Sequence, residues 1–314
     1  MDINELHIIV NELALNLGFS AYAATPSIKL TDEMFRFREY LSKGFNADMS
    51  YLERNCDMRE NPDLLLKGTK SVMCFLASYK NEIKQDKNIP QIASYAYGKD
   101  YHKILKDKLY VIAEKIKEYY PSITYRVFTD SAPVLEKAWA TRAGLGFIGK
   151  NTMLINKTHG IKTFIGVILT DLVVKYSWNS EKPGCGSCTK CIDACPTGAL
   201  TGEYLLDARK CISYQTIESK RAFGQEKFAI DFNNYIFGCD ICVDACPWSS
   251  KGEFTKISEF FPDIRYIGRN KDDWSSMEED VFLGEFSESP LNRAGLQKII
   301  DNIKWNGVEN QSGN

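Results

Sequence analysis

The cysteines are the residues of this sequence whose spacing points most directly to chemistry. The chain has ten cysteines in 314 residues, and eight of them fall between Cys185 and Cys246. Disulfide scaffolds are small and dense in cysteine, whereas a chain of this length can bury a large core without cross-links. The clustered cysteines are therefore predicted to be metal ligands in a reducing compartment, where thiols stay free.

The first cysteine run contains Cys185, Cys188, Cys191 and Cys195, separated by two, two and three residues and followed by Pro196. This spacing is that of bacterial ferredoxins with two 4Fe-4S clusters. In such a run three cysteines bind one cluster, and the fourth, next to the proline, binds the other.

The second run is a partial repeat of the first. Cys239, Cys242 and Cys246 are followed by Pro247, and the isolated Cys211 can supply the ligand that the repeat lacks. The spacing then predicts two clusters with crossed ligands. The first cluster takes Cys185, Cys188, Cys191 and Cys246, and the second takes Cys195, Cys211, Cys239 and Cys242.

Two structural zinc sites are the alternative, because four thiolates also suit zinc. Zinc ribbons, however, pair two-cysteine knuckles and do not use a four-cysteine run that ends in Cys-Pro. The remaining cysteines, Cys56 and Cys74, are predicted to bind no metal. Cys74 lies in a buried strand pattern and is interpreted as a small core residue.

The elements before the cysteines alternate between helices and strands and predict one α/β domain over residues 1–175. Its last strands, Met153–Ile155 and Thr163–Leu169, are predicted to form a hairpin. Residues 176–250 are predicted to form a ferredoxin-type domain. Its first part, residues 176–184, is predicted to be a connector to the cysteines. Residues 252–314 hold seven Lys and Arg against twelve Asp and Glu. They are predicted to be mostly irregular up to a final helix at Leu291–Ile303.

Asp130 is the candidate acid of the first domain. It follows a predicted strand and precedes a predicted helix, a position from which side chains of α/β proteins reach a ligand crevice. A carboxyl that is shielded from water there can stay protonated and act as a general acid. The alternative is that Asp130 only caps a helix that begins near Ala132.

Two further features narrow the class of protein. The glycines at 144, 146 and 149 match a dinucleotide fingerprint in spacing, but they follow a helix and precede a strand, which is the wrong context. The first residues carry Asp2 and Glu5 where a secretory signal carries cations, and no apolar stretch reaches 18 residues. These features predict a cytoplasmic enzyme without a membrane segment.

Several stretches of the sequence resemble the epoxyqueuosine reductases. The stretches are Ser94–Lys103, Asp130–Pro133, Gly144–Asn151, Cys185–Leu200, Cys211–Tyr214 and Gly238–Asp240. The resemblance implies an α/β (α+β) cobalamin-binding domain of nitroreductase-like type, fused to a two-cluster bacterial ferredoxin-like module. It also implies reduction of the epoxide of epoxyqueuosine, at the wobble position of tRNA, to the cyclopentene of queuosine with loss of water.

The resemblance assigns roles to individual residues. Cob(I)alamin, supplied with electrons by two 4Fe-4S clusters, would be the reductant, and Asp130 would donate the proton. Arg59 would contact the corrin, Lys150 and Asn151 would lie on the loop facing it, and Ser213 and Asp240 would lie near the clusters. The histidine motif that ligates cobalt from below is incomplete, since Leu105 replaces its glycine. The cobalamin is therefore expected to be base-off, as cob(II)alamin or cob(I)alamin.

The resemblance also implies partners. These are a tRNA anticodon stem-loop carrying epoxyqueuosine and an external electron donor such as flavodoxin or ferredoxin, and the protein is expected to be a monomer. Longer members of the family continue into helical repeats that help to grip tRNA, so residues 251–314 are expected to be a truncated form of that region. Two alternatives remain open, a reductive dehalogenase-like cobalamin enzyme and a ferredoxin-type electron-transfer protein.

Overall fold

The computed structural model describes residues 2–177, 183–220 and 230–309, with side chains up to residue 306. Part of the predicted connector, residues 178–182, lies outside this range. Within it, the strands are β1 Ala21–Pro26, β2 Ser71–Ser78, β3 Gln91–Ile92, β4 Tyr125–Phe128, β5 Phe147–Ile148, β6 Leu154–Ile155, β7 Thr163–Thr170, β8 Leu200–Gly202, β9 Leu205–Leu206 and β10 Tyr235–Phe237. The helices are α1 Ile3–Asn16, α2 Thr31–Ser42, α3 Cys56–Glu60, α4 Tyr101–Tyr119, α5 Glu136–Arg142, α6 Lys190–Asp193, α7 Ile212–Ile217, α8 Ile241–Asp244, α9 Ile264–Ile267, α10 Lys271–Ser275, α11 Glu279–Glu285 and α12 Leu296–Glu309.

A four-stranded antiparallel sheet in the order β1-β2-β7-β4 forms the centre of the N-terminal part. Every residue of β2 is buried, and alternate residues face opposite sides of the sheet. On one side Met73, Phe75 and Ala77 pack with residues of α1 and α4. On the other side Val72, Cys74 and Leu76 pack with residues of α2 and α5. Helices thus cover both faces, which makes this part an α+β layered domain.

Helix α4 lies directly against the sheet. Its buried residues Leu105, Leu109, Ile112 and Ile116 face the core. A Cβ added to Gly166 of β7 would come within 2.8 Å of Leu109, so the glycine permits this close approach. The beginning of α4 consequently lies beside the far end of β4, where Asp130 follows.

The predicted hairpin between residues 153–155 and 163–169 is wrong. β6 pairs with β5 instead, and β7 pairs with β2 and β4 in the central sheet. The turn closes on itself, because Asn156 and Gly160 exchange backbone hydrogen bonds. All but one of the eight residues of β7 are buried, and only the sheet centre can bury both of its faces.

The prediction of a mostly irregular segment after residue 251 is also wrong. Helices α9, α10 and α11 precede α12, and together they bury an aromatic core that includes Trp274, Phe282 and Phe286. Ile92 of β3 and Ile236 of β10 join the same core. Helices of four to seven residues are too short for a helical repeat of apolar residues to show in the sequence.

Over the described ranges, none of the helices has the length and apolar character that crossing a lipid bilayer requires.

Candidate active site and iron-sulfur sites

The structure gathers the eight clustered cysteines into two groups. Four of them, Cys185, Cys188, Cys191 and Cys246, line one cavity of about 200 Å³. Lys150, Asn151 and Trp248 are among the other residues of its wall. Cys246 lies more than fifty residues from the first run, and the fold brings it there because α6 and α8 pack against each other.

The second group contains Cys195, Cys211, Cys239 and Cys242. Burial raises the pKa of Cys242 to about 12, and the neighbouring thiols of Cys211 and Cys195 add to this effect. Burial also raises the pKa of Cys239, with Cys211 and Cys242 contributing. Buried thiols that oppose each other's ionisation become thiolate ligands only when bound cations compensate their charge.

The first cavity fits a cluster better than a single ion. In residues 2–177, 183–220 and 230–309, no three or more His, Cys, Asp or Glu side chains are arranged to hold one metal ion. Zinc would draw its four sulfurs to about 2.3 Å from one centre, whereas these four thiols surround a cavity of about 200 Å³. The donor set and the space both suit a 4Fe-4S cluster.

The remaining residues that were predicted to lie near the cofactors are found beside one or the other cysteine group. The Lys150 ammonium is buried and lies 2.7 Å from Glu203, and the Asn151 side chain donates to the Cys242 carbonyl at 3.3 Å. Asp240 is buried between two cysteines of the second group, accepts the Ser94 backbone N–H at 2.6 Å, and has a raised pKa because of its burial. Ser213 is half-buried on α7, two residues from Cys211.

Asp130 lies beside the beginning of α4, and the region around its carboxyl is called the Asp130 crevice below. Its backbone adopts a positive φ of 48°, which is unusual for a residue other than glycine. The Tyr101 hydroxyl donates to Asp130 Oδ2, and His102 Nε2 lies 3.8 Å from the same oxygen. The Asp130 backbone N–H donates to Glu136 Oε1 at 3.0 Å. The carboxyl is 65% exposed, so it is held from behind while its other oxygen stays accessible.

The alternative role of Asp130 as a helix cap is wrong. Helix α5 begins only at Glu136, its N-cap position is Leu135, and no side chain caps it. The segment between strand and helix is therefore a loop, whose conformation is set by contacts of Asp130 to α4 and to Glu136.

The sequence interpretation missed Glu136 and Lys137, which line the same crevice. Burial raises the pKa of Glu136 to about 8, and the neighbouring charge of Asp130 contributes. Burial lowers the pKa of Lys137, whose ammonium donates to the Thr152 carbonyl at 2.8 Å. Lys137 still has an exposed surface, so protein surrounds it on most sides while the crevice leaves it open. The stretch Leu135–Lys137 has no motif of its own, and only folding reveals its position.

Arg59 carries the clearest sign of an absent ligand. It is 7% exposed, its Nη2 donates to the Tyr51 carbonyl at 3.2 Å, and its guanidinium lies over the Phe37 ring at 5.7 Å. Its buried Nε has no hydrogen-bond partner. A buried donor without a partner costs about 1–3 kcal/mol. An acceptor on a bound molecule, such as a corrin amide side chain, would satisfy it.

The C-terminal segment also reaches this crevice. Arg293 is paired with Glu218 at 2.6 Å. Although burial lowers its pKa, the net shift is upward, because Glu218, Tyr51 and Asp130 surround the guanidinium. The sequence interpretation treated residues 251–314 as a truncated region and therefore missed this residue.

Two family models match the chain. The model described as "Epoxyqueuosine reductase QueG, DUF1730" matches residues 59–131, which run from Arg59 to just beyond Asp130. The model of a 4Fe-4S double cluster binding domain matches residues 184–249 and covers all eight clustered cysteines. The second match supports iron-sulfur clusters over the zinc alternative.

Curated relatives match over nearly the whole chain. An epoxyqueuosine reductase of Cellulophaga algicola is 39% identical over 97% of this chain and 100% of its own length. One from Cyclobacterium marinum is 38% identical over 94% of this chain and 96% of its own length. One from Escherichia coli is 33% identical over 96% of this chain and 81% of its own length.

A solved structure of an epoxyqueuosine reductase is also similar to this chain over most of its length. A crystal structure of epoxyqueuosine reductase with an epoxyqueuosine-modified tRNA stem loop superposes with a TM-score of 0.89 at 26% identity. The match covers 97% of this chain and 81% of that one. Since curated relatives share more than a third of their residues with it over nearly its full length, this chain belongs to the epoxyqueuosine reductase family.

Proposed function

We propose that the Asp130 crevice is the place where this chain reduces the epoxide of epoxyqueuosine in tRNA to the cyclopentene of queuosine. The observation that carries the assignment is the carboxyl of Asp130, whose Oδ2 faces Tyr101 and His102 while the side chain stays 65% exposed. The crevice lies within a chain of the epoxyqueuosine reductase family, so its general acid has a substrate oxygen to protonate.

The two cysteine groups hold the two 4Fe-4S clusters of this oxidoreductase. Cys185, Cys188, Cys191 and Cys246 bind the first, and Cys195, Cys211, Cys239 and Cys242 bind the second. Lys150 and Asn151 lie at the wall of the first cavity, where an ammonium and an amide offset the negative charge of thiolates. Asp240 ties the second group to the segment before α4 through Ser94, and Ser213 lies beside Cys211.

Cobalamin is the further cofactor that the crevice fits. When bound, it would supply a strong cobalt-centred nucleophile and reductant. Arg59 would hold it through the partnerless Nε, and the loop with Lys150 and Asn151 would border it. The donor of the electrons, a flavodoxin or a ferredoxin, and the monomeric state remain part of this proposal.

Conversion of the epoxide to an alkene takes up two electrons and two protons and releases the oxygen as water. The clusters store the electrons, and Asp130 passes a proton from Oδ1, since Tyr101 and His102 both face Oδ2. Substrate above the crevice would exclude water from this carboxyl and favour its protonated form.

The three parts of the protein follow one another along the chain and have different proposed roles. Residues 1–175 form the cobalamin-binding, nitroreductase-like domain, residues 176–250 the ferredoxin-type domain, and residues 251–314 a C-terminal segment that delivers Arg293 to the crevice. The substrate is the anticodon stem-loop of a tRNA, as the solved relative in complex with such a stem loop supports.

The test is anaerobic turnover by the purified protein with reconstituted clusters, in the presence and absence of cob(II)alamin. Nucleosides from epoxyqueuosine-containing tRNA are measured by mass spectrometry. Queuosine should form only when cobalamin and an electron source are both present. Conversion at the same rate without cobalamin would refute the cofactor assignment, and no conversion under any condition would refute the substrate.

A further inference from the structure

Three side chains, those of Asp100, His102 and Asp130, form a line that ends at the proposed proton donor. Asp100 Oδ1 lies 2.6 Å from His102 Nδ1 and also accepts the His102 backbone N–H at 2.9 Å. On the other side of the ring, His102 Nε2 lies 3.8 Å from Asp130 Oδ2. One water molecule or a small rotation of either side chain bridges that distance. The imidazole therefore separates two carboxyl groups and faces both.

Asp100 fixes the state of the imidazole. Partial burial favours the protonated form of Asp100, but hydrogen bonds from the side chain and backbone of His102 outweigh it and lower its pKa. An ionised carboxylate accepts hydrogen bonds only, so Nδ1 of His102 carries a hydrogen. Nε2 is then the ring nitrogen that gains and loses a proton, and it points at Asp130.

The stoichiometry of the reaction demands a second proton. The departing oxygen leaves as water and needs two protons, whereas Asp130 carries one. The second must arrive while the substrate still covers Oδ1. We propose that His102 is a proton relay that recharges Asp130 through Oδ2 within each turnover. This inference rests on the proposed role of Asp130 as proton donor.

The proposed relay consists of successive proton transfers between the substrate, Asp130, His102 and solvent. Asp130 loses its Oδ1 proton to the substrate oxygen and becomes a carboxylate. The imidazolium of His102 breaks its Nε2–H bond and passes that proton to Asp130, which leaves a neutral imidazole with hydrogen on Nδ1. Rotation of the carboxyl presents the new proton to the substrate and leaves Asp130 as a carboxylate. Solvent then returns two protons, one that passes through Nε2 to Asp130 and one that stays on Nε2. No electrons move in these steps.

Proton transfer along this line is also favoured by desolvation. When substrate covers the crevice, a carboxylate and an imidazolium would be buried together, and the loss of their hydration disfavours that charged pair. Moving the proton from His102 to Asp130 converts the pair into two neutral groups. His102 is still 23% exposed and Asp100 40% exposed, so the far end of the line keeps its contact with water.

The two other neighbours of Asp130 are less suited to this task. Burial and the charge of Asp130 raise the pKa of Tyr101 well above its ordinary value, so its hydroxyl donates a hydrogen bond and keeps its proton. Glu136 touches the backbone N–H of Asp130 and not its carboxyl. Tyr101 and Glu136 are therefore positioning residues.

The test is single-turnover kinetics of the reduced holoenzyme with His102→Gln, His102→Ala and Asp130→Ala. Glutamine keeps a hydrogen-bonding amide near Asp130 but transfers no proton. His102→Gln and His102→Ala should both slow queuosine formation about 10- to 100-fold, with the tRNA dissociation constant unchanged. Added imidazole should restore much of the rate to His102→Ala, where it fills the space of the lost ring, and none to His102→Gln. His7→Gln, on α1, is the matched control and should react like wild type.

The outcomes separate the relay from the donor. Loss of rate in Asp130→Ala together with a wild-type rate in His102→Gln would overturn the relay and leave the donor in place. A wild-type rate in Asp130→Ala would overturn the donor and the relay with it. A slow His102→Ala that imidazole does not rescue, beside an unimpaired His102→Gln, would show that His102 only positions Asp130 and would overturn the relay.

Discussion

The cysteine module and the Asp130 crevice differ in how their residues are distributed along the chain. All eight cysteines of the module fall within 62 consecutive residues. The crevice is assembled from α4, the loop after β4, the start of α5, Arg59 and Arg293, which span more than 230 residues. The cysteines that bind an iron-sulfur cluster must surround a small group of atoms, so their spacing in the sequence is enough to predict the site. The Asp130 crevice combines acidic and basic side chains from distant parts of the sequence, and only the tertiary fold brings them together.

The largest expected effect concerns the module. Cys242→Ala removes a ligand of the second cluster, and the iron content should fall from about eight to about four per chain. Reduction of epoxyqueuosine in tRNA should become undetectable, because electrons no longer pass through both clusters. Iron analysis and EPR spectra of the reduced protein measure the first effect.

Cys56→Ala is the matched control for that substitution. Cys56 begins α3 and lies outside both cysteine groups, so iron content and activity should match wild type. Loss of iron in this variant would contradict the division of the ten cysteines into eight ligands and two others.

The next effect concerns the crevice. Arg59→Gln removes the buried guanidinium whose Nε has no partner, and cobalamin should bind about ten- to a hundredfold more weakly, or roughly 1.4–2.7 kcal/mol. Titration with cob(II)alamin, followed by absorbance, gives the dissociation constant. Arg38→Gln is the control, since Arg38 is half exposed and pairs with Glu60. Equal affinities for wild type and Arg59→Gln would place the corrin elsewhere.

Glu136 gives the smallest effect and a dependence on pH. Its pKa is raised from 4.5 to about 8 in the folded protein, chiefly by burial. The stability associated with its protonated form is therefore complete below pH 4.5 and is lost as the pH rises through 8. Glu136→Gln keeps the acceptor for the Asp130 N–H but cannot ionise. The variant should therefore gain stability over wild type as the pH rises from about 5 to about 8.

Thermal melts of the cobalamin-free protein at several pH values test this prediction. The melting temperatures of wild type and Glu136→Gln should agree near pH 4.5 and diverge as the pH rises from about 5 to about 8. Parallel curves over the whole range would mean that Glu136 is ionised at neutral pH in the folded state.

The sequence predicted some parts of this protein and not others, for physical reasons. Helices α1, α2 and α4 are long enough for their apolar faces to repeat, which is why an alternation of helices and strands could be predicted for the first domain. The hairpin was mispredicted because adjacent strands usually pair, whereas β7 is the strand that fills the sheet centre. The short helices after residue 251 give no repeat to detect.

The same distinction holds within the crevice. Asp130 was predicted from its place after a strand and from the resemblance of the chain to a family. Glu136, Lys137 and Arg293 have no motif, and their partnership with Asp130 exists only after folding. His102 lies in the stretch Ser94–Lys103, which carries part of the family resemblance and the incomplete cobalt-ligand motif, but its position between Asp100 and Asp130 is visible only in the structure.

The central claim is that the module supplies electrons and the crevice supplies protons to one reaction. It is tested most directly by single turnover of Asp130→Asn, measured on the same reduced sample whose clusters are counted by EPR. Both clusters should be intact and reduced, and queuosine should form at least about 100-fold more slowly than in wild type. A wild-type rate in this variant, with both clusters present, would contradict the claim.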